Sequence, residues 1–228
     1  MSTLIVVAHP DDEVLGCGGL ATGLSAAGES VRACILAASA KARSGRPSDG
    51  DLHEDTVRAS RLLGMDDPIL GDFPNIQMNT VPHLDLVQFI ERAISDTGAT
   101  RVVTHHPEDL NDDHRHTSLA CQAAVRLFQR QEGVPAFRQL LLMETLSSTD
   151  WAFPASRHGF RPSAFYPLGE ALLQRKLESL RAYSGVIRDF PHSRSEEIIK
   201  GLAAFRGGQA GVEYAEAFEL AFHRLDPW

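Results

Sequence analysis

Cysteine is scarce in this chain. Cys17, Cys34 and Cys121 are the only three among 228 residues, an odd number without CxxC or similar spacing, which argues against a disulfide framework and against a thiolate metal site. They read as small core residues of a protein kept reduced, so the cytoplasm is the expected location. Long apolar runs are also missing. Leu4 to Ala8 is too short for a signal peptide or a membrane span, and charge follows at once, so no membrane span is expected. Positive charge is in short supply, with 22 Lys and Arg against 30 Asp and Glu and a formal net charge of -8. That balance leaves no basic footprint for nucleic acid or an anionic membrane and points to a small-molecule partner. Repeats, low-complexity tracts and linker-like stretches are absent too, so one domain over residues 1–228 is expected. What is present is 43% hydrophobic content, enough for one substantial core. A homo-oligomer is compatible with this composition, which does not specify assembly.

Apolar segments recur at intervals that suit alternating strands and helices. TLIVVA (3–8) is a β-branched run of the kind found in buried parallel strands, and 14–27 reads as a helix closed by Gly28. VRACILA (31–37) gives a second strand. A helix with its apolar residues on one face follows over 54–63, with Gly64 after it. Further strands are expected at 69–73, 101–104 and 139–145, and helices at 84–96, about 117–131, 172–183 and 195–205. The right-handed crossover rule then implies an α/β fold: a single Rossmann-like domain with a doubly wound, mostly parallel sheet flanked by helices. Residues 151–167, rich in Pro, Phe, Ser and Arg without periodicity, read as a long ordered loop. Residues 215–224 fit helix or strand equally.

Two polar clusters carry the chemistry. AHPDDE (8–13) sits directly after the first strand, at the edge where ligands collect in parallel α/β sheets. His9 and Asp12 are three apart, so one tight turn aims both at one point, with Asp11 beside whatever they hold. The plainer alternative is that Asp11, Asp12 and Glu13 cap the next helix, since acids favour helix N-termini. THHPEDLNDDHRHT (104–117) follows another strand in the same topological position, so both clusters meet at one edge. Catalytic zinc sites usually take three His or carboxylate ligands and keep a fourth position for water. His9, Asp12 and one histidine of the second cluster make that set; spacing does not choose among His105, His106, His114 and His116. The same nitrogen and oxygen donors accept iron(II) and other divalent ions as well as zinc.

At these residues the chain resembles the PIG-L (LmbE-like) deacetylases, whose motifs are AHPDDE after the first strand and a later PxDxHxDH-type loop. The first motif is intact. The second stands as HPEDLNDDHR, with Asp113 and His114 in the places of the closing DH pair. GCGGLA (16–21), RASRLLG (58–64) and YAEAF (214–218) extend the likeness over most of the chain. The resemblance implies zinc ligation by His9, Asp12 and His114, with Asp11 as general base. The implied activity is hydrolysis of an N-acetyl group from an amino sugar or sugar conjugate. Many members carry a histidine three residues before the ligand histidine, associated with the oxyanion or with proton donation; here Asn111 stands there. Asn111 through its amide, or His192 in PHSRS (191–195), is therefore expected to take that role.

Arg43, Arg46, Arg188 and Arg194 are candidates for gripping a phosphate or carboxylate of the substrate, although surface arginines are commonly just solvated. Asp109, Glu108 and Asp113 are candidates for orienting a ligand histidine from behind, and Asp109 and Glu108 could equally cap the following helix. Glu216 has no chemistry derivable from sequence. Three alternatives compete: an amidase for a longer acyl group or a thiol conjugate, a catalytically silent metal binder, and a nucleotide module using Gly16 to Gly19. The last is disfavoured because GCGG lacks the GxGxxG arrangement and the adjacent acids would repel phosphate.

Overall fold

The computed structural model describes residues 1–39, 49–153 and 159–225. Seven strands form one sheet: β1 (Ser2–Val7), β2 (Ser30–Ile35), β3 (Asp66–Leu70), β4 (Arg101–His105), β5 (Gln139–Met143), β6 (Ala164–Pro167) and β7 (Ala215–His223). Their spatial order is β3-β2-β1-β4-β5-β7-β6. The first five pair in parallel, whereas β7 runs antiparallel to β5 and to β6. The strand order reverses between β1 and β4, and at such a switch point the loops leaving the two strands splay apart and leave a crevice. Both polar clusters leave strands at that crevice.

The helices are α1 (Asp12–Ala26), α2 (Asp49–Leu62), α3 (His83–Thr97), α4 (Asp112–Ala124), α5 (Gly169–Ala182) and α6 (Glu196–Ala210). Side chains alternate across β1, so Ile5 and Val7 face one apolar layer with α1, α2, α5 and α6. Leu4 and Val6 face the other layer, with α3 and α4. A sheet covered on both faces explains why β1 is a continuous apolar run rather than an alternating one. All three cysteines are free and buried, as a reduced core requires.

Helix α2 starts at Asp49 rather than 54 and β3 spans Asp66–Leu70 rather than 69–73, and three further elements depart from the sequence reading. The stretch 151–167, expected as loop, ends in β6, whose four residues pair at the sheet edge. Pairing with β7 supplies the partner for its backbone, a gain no local propensity reports. The segment 215–224, which fits helix or strand equally in sequence, forms β7 over Ala215–His223. And α4 starts at Asp112 rather than near 117, because Asn111 caps it by accepting a hydrogen bond from the Asp113 N–H. The second polar cluster is thus half loop and half helix.

Helix α1 is interrupted at Cys17, where φ is -150°. The break leaves backbone groups without helical partners, and a buried ion pair takes them. Glu216 of β7 accepts from the N–H groups of Gly19 (2.9 Å) and Leu20 (2.7 Å). Lys176 of α5 donates to the Leu15 carbonyl (2.8 Å) and to Glu216 (2.7 Å). GCGG is therefore a packing device. A Cβ at Gly16 would strike the Met143 side chain, and one at Gly19 would strike Leu168 and meet Glu216 Oε1 at 3.2 Å. No phosphate cradle is needed to account for these glycines.

Candidate active site

The turn after β1 is built by its own acids. Asp12 Oδ2 accepts from the His9 N–H at 3.0 Å and Glu13 Oε2 from the Asp11 N–H at 3.1 Å. These bonds hold Asp11 at φ 96°, a left-handed conformation rare outside glycine. Asp11 occupies the cap position of α1, yet its side chain makes no cap hydrogen bond. The capping alternative therefore does not describe it. Instead Asp11 Oδ2 accepts from Arg194 NH1 at 3.0 Å. Glu13 is fully buried and held from behind by the Tyr183 hydroxyl at 2.6 Å. Burial pushes its pKa up to about 8, with Tyr183 opposing and Asp11 adding.

His9, Asp12 and His114 converge, all buried, with one potential ligand atom from each within 4.8 Å of the others. Asp12 Oδ2 lies 3.4 Å from His9 Nδ1 and 3.1 Å from His114 Nε2. Tetrahedral zinc with bonds of about 2.0–2.1 Å spaces its ligands roughly 3.3 Å apart, so the donor set fits a small divalent cation. The far nitrogens of both rings face carboxylates. His9 Nε2 meets Asp113 Oδ2 at 3.0 Å, and His114 Nδ1 lies 3.3 Å from Asp109 Oδ2. Asp113 is fixed in turn by the N–H groups of Ile76 (2.6 Å) and Met78 (2.9 Å), and Asp109 by Asn111 N–H (2.9 Å), Thr149 Oγ1 (2.7 Å) and Ser148 Oγ. Such partners select the tautomer and orientation of a ligating imidazole.

The charges follow from this packing. Burial would lower His114, but Asp12 and Asp109 outweigh it and hold the ring up to about 10. Burial would raise Asp12, yet the histidines around it hold the carboxyl well below its usual range. Asp109 is held down to about 2 against the effect of its own burial, chiefly by His114. His105 behaves differently: burial, with His114 beside it, pushes it down to about 3.

Those contacts separate the four histidines that spacing left equivalent. His105 stacks on His114 at 3.8 Å between centroids and spends Nε2 on the Ala8 N–H at 3.0 Å. With Asp109 and His114 it forms an alternative buried donor group, but that committed nitrogen favours the group containing His9 and Asp12. His106 accepts from the Glu108 N–H and faces Glu219. His116 is half-buried beside Asp112.

A cavity of about 60 Å³ opens on the convergence point, lined by His9, Asp11, Asp12, His114 and Asn111 together with Asn75, Ile76, Ser147, Ser148 and Arg194. Asn111 thus lines the site while capping α4. His192 is not in the lining: it is exposed, and its Nδ1 accepts from the Arg194 N–H at 3.0 Å. The geometry therefore corrects the expectation for PHSRS, since Arg194 and not His192 reaches the site. Arg188 is exposed and does not line the cavity. Arg43 and Arg46 lie outside the described residues.

Asn75, Ile76, Ser147 and Ser148 escaped the sequence reading. Ser147 and Ser148 had a signal, since a Ser/Thr/Asp cluster follows β5 just as the other two clusters follow β1 and β4. Ile76 had none. A β-branched residue at φ 59° is strained in a way its identity does not announce.

Comparison with known proteins gives a family and a fold. The model of the PIG-L family, GlcNAc-PI de-N-acetylase, matches residues 4–125. An Escherichia coli K12 protein described as the uncharacterized deacetylase YaiS is 28% identical over 189 residues, covering 79% of this chain and 89% of its own. Among solved structures, N,N'-diacetylchitobiose deacetylase from Pyrococcus horikoshii superposes with a TM-score of 0.78 at 19% identity, over 96% of this chain and 83% of its own. GalB, the 4-carboxy-2-hydroxymuconate hydratase of Pseudomonas putida KT2440, gives the same TM-score at 18% identity, over 99% and 98%. At such identities the structures share a fold, and a fold that also carries a hydratase leaves the reaction to be argued from the site. Among the described residues no helix is long and apolar enough to cross a membrane.

Proposed function

The chain belongs to the PIG-L (GlcNAc-PI de-N-acetylase) family, and from that membership we propose that it is a metal-dependent hydrolase removing an N-acetyl group from an amino sugar or sugar conjugate. The products are acetate and a free amine. The observation that carries this reading is the donor set of His9 Nδ1, Asp12 Oδ2 and His114 Nε2, two imidazoles backed by carboxylates, opening on a cavity that Asp11 also lines.

These three residues hold the cation, zinc in the first instance and iron(II) as the alternative. When bound, it supplies Lewis acidity toward a carbonyl oxygen and makes water acidic near neutral pH. Asp113 and Asp109 keep the two imidazoles turned toward it. The Asp11 carboxylate takes a proton from the attacking water and passes it to the departing nitrogen, so that the C–O bond forms and the C–N bond breaks without free hydroxide or an amide anion. Asn111 has spent Oδ1 on the α4 cap, which leaves its amide NH2 as the donor end toward the substrate. The cavity size favours a short acyl group: at roughly 10–15 Å³ per water, about 60 Å³ takes four to six water-sized groups, enough for acetate. A longer acyl amide is the weaker reading for that reason.

The test is metal analysis combined with acetate release from a panel of N-acetylated sugars, sugar nucleotides and longer N-acyl analogues. One cation per chain and selective release of acetate are expected. Asp11→Asn should keep the cation and lose about 10²- to 10⁴-fold in turnover, whereas His114→Ala should lose the cation. An Asp11→Asn protein as active as wild type removes the assigned role, and a metal-loaded wild type inert on every amide removes the reading.

A further inference from the structure

The donors lining the cavity are mostly spent. Asn75 Nδ2 donates to the Ser39 carbonyl at 3.0 Å, the Ile76 N–H to Asp113, and the Ser148 hydroxyl to Asp109. The Asn111 amide and Arg194 are the exceptions, and of the two only Arg194 carries charge. Its side chain is 16% exposed, its Nε donates to Ser147 Oγ at 2.7 Å and its NH1 to Asp11 Oδ2 at 3.0 Å. NH2 takes no hydrogen-bond partner among the described residues. A guanidinium is planar, so pinning two of its nitrogens fixes the direction of the third. Arg101, at 12% side-chain exposure, likewise leaves one guanidinium nitrogen without a partner among the described residues, but it stands outside the cavity that Arg194 lines. Arg194 keeps a fixed cationic donor on the cavity, beside the acid that handles the proton. The loop that pins it is itself held unusually, with Ser147 at φ 67°.

Attack on an amide moves the carbonyl π pair onto oxygen, so one full negative charge develops in the cavity. Asp11 and Asp12 already make that cavity acidic, and a neutral amide such as Asn111 answers the new charge only as a dipole. Resting on the deacetylase reading above, we propose that Arg194 is a further catalytic residue of this chain. Its NH2 receives the oxyanion while NH1 keeps the Asp11 carboxylate aimed. This role differs from anchoring a distant phosphate or carboxylate of the substrate, which the same side chain would serve through binding alone.

The experiment compares Arg194→Gln and Arg194→Lys with wild type in three measurements: metal content, kcat and KM on the best N-acetyl sugar, and affinity of the metal-loaded protein for acetate by calorimetry. Acetate presents to the site a carboxylate oxygen of the kind the oxyanion becomes. Arg194→Gln should keep one cation per chain and lose about 10²- to 10³-fold in kcat, the usual effect of removing one such donor, with KM within threefold. Its acetate affinity should fall at least about tenfold, since a charge-assisted hydrogen bond is lost. Arg194→Lys keeps the charge without the fork, so it should recover part of the acetate affinity while kcat stays about tenfold low. A raised KM with unchanged kcat overturns the proposal in favour of a substrate anchor, and unchanged acetate affinity in Arg194→Gln overturns it outright. Should Arg194→Gln fail to fold, Arg194→Lys decides: wild-type kcat there refutes the fork. The acetate arm needs no turnover, so an inert wild type defeats the deacetylase reading while acetate affinity still judges Arg194.

Discussion

Replacing Glu216 tests whether the break in α1 is held by the buried pair. In Glu216→Ala, Lys176 loses its counter-charge at 8% side-chain exposure, and the N–H groups of Gly19 and Leu20 lose their acceptor. Removing one partner of a buried pair costs about 3 to 5 kcal/mol because the other is left charged and dry. The two orphaned N–H groups work in the same direction. For a chain of this size each kcal/mol shifts Tm by about 2 to 4 °C, so a fall of roughly 8 to 16 °C is expected from about 4 kcal/mol. Lys176→Met should cost a similar amount by leaving Glu216 buried and unpaired. The double variant Lys176→Met/Glu216→Ala should then cost less than the sum of the single changes, with a coupling of about 2 kcal/mol or more between contacting groups. Urea unfolding followed by far-ultraviolet circular dichroism and tryptophan fluorescence reads all four proteins. A Glu216→Ala protein within 1 kcal/mol of wild type, or strictly additive single effects, would refute the reasoning. Glu216 touches none of the converging donors, so the variants that fold should keep metal affinity.

Asp113→Asn and Asp109→Asn should each weaken cation affinity about 10- to 100-fold while leaving the three ligands in place; competition with a chromophoric chelator reads this, and unchanged affinity in both would show that the carboxylates do not orient the rings. The metal-free protein should also be pH-dependent at His114. Burial acts to lower this group, but Asp12 and Asp109 raise it from 6.5 to about 10. A raised histidine stabilises fully below its unfolded value, and that contribution fades as pH climbs through the folded one. Loading a cation between pH 7 and 8 must displace that proton, together with any on His9, which, against its burial, Asp113 and Asp12 raise, so a weakly buffered titration should record release of at least about one proton per chain and affinity rising with pH. No proton release would mean that His114 is already neutral.

The path from sequence to fold was short where one physical signal dominated. The β-branched run of β1 needed only burial on both faces, and the two polar clusters needed only their place after β1 and β4 to be brought to the strand-order reversal. What was not legible depended on long-range partners. β6 is four residues in a segment without periodicity, and it becomes a strand only because β7 offers a free edge. Position alone likewise made His192 attractive: it is the titratable member of PHSRS, yet its ring folds back onto the Arg194 N–H while the neighbouring arginine enters the site. Glu216 had no readable chemistry because its role is to satisfy a break in a helix 196 residues away in sequence. Choosing His114 over His105 also required coordinates, since only the hydrogen bond from the Ala8 N–H commits the second ring.

The non-glycine residues with positive φ among the described residues are Asp11, Ile76 and Ser147, and each lines the cavity. Each such conformation costs about 1 to 3 kcal/mol, a large share of the roughly 5 to 15 kcal/mol by which a domain is stable. They persist because neighbouring bonds over-determine them, and those bonds also serve the chemistry. The N–H of Ile76 is held by the carboxylate that holds His9. Ser147 Oγ is held by the guanidinium that holds Asp11, and the Asp11 N–H by buried Glu13. Relaxing any of the three turns would therefore release a ring or an acid from its aim, so the strain and the orientation of the reacting groups are one set of hydrogen bonds. A loop free to relax would be more stable and would leave His9, Asp11 and Asp12 pointing at no common place.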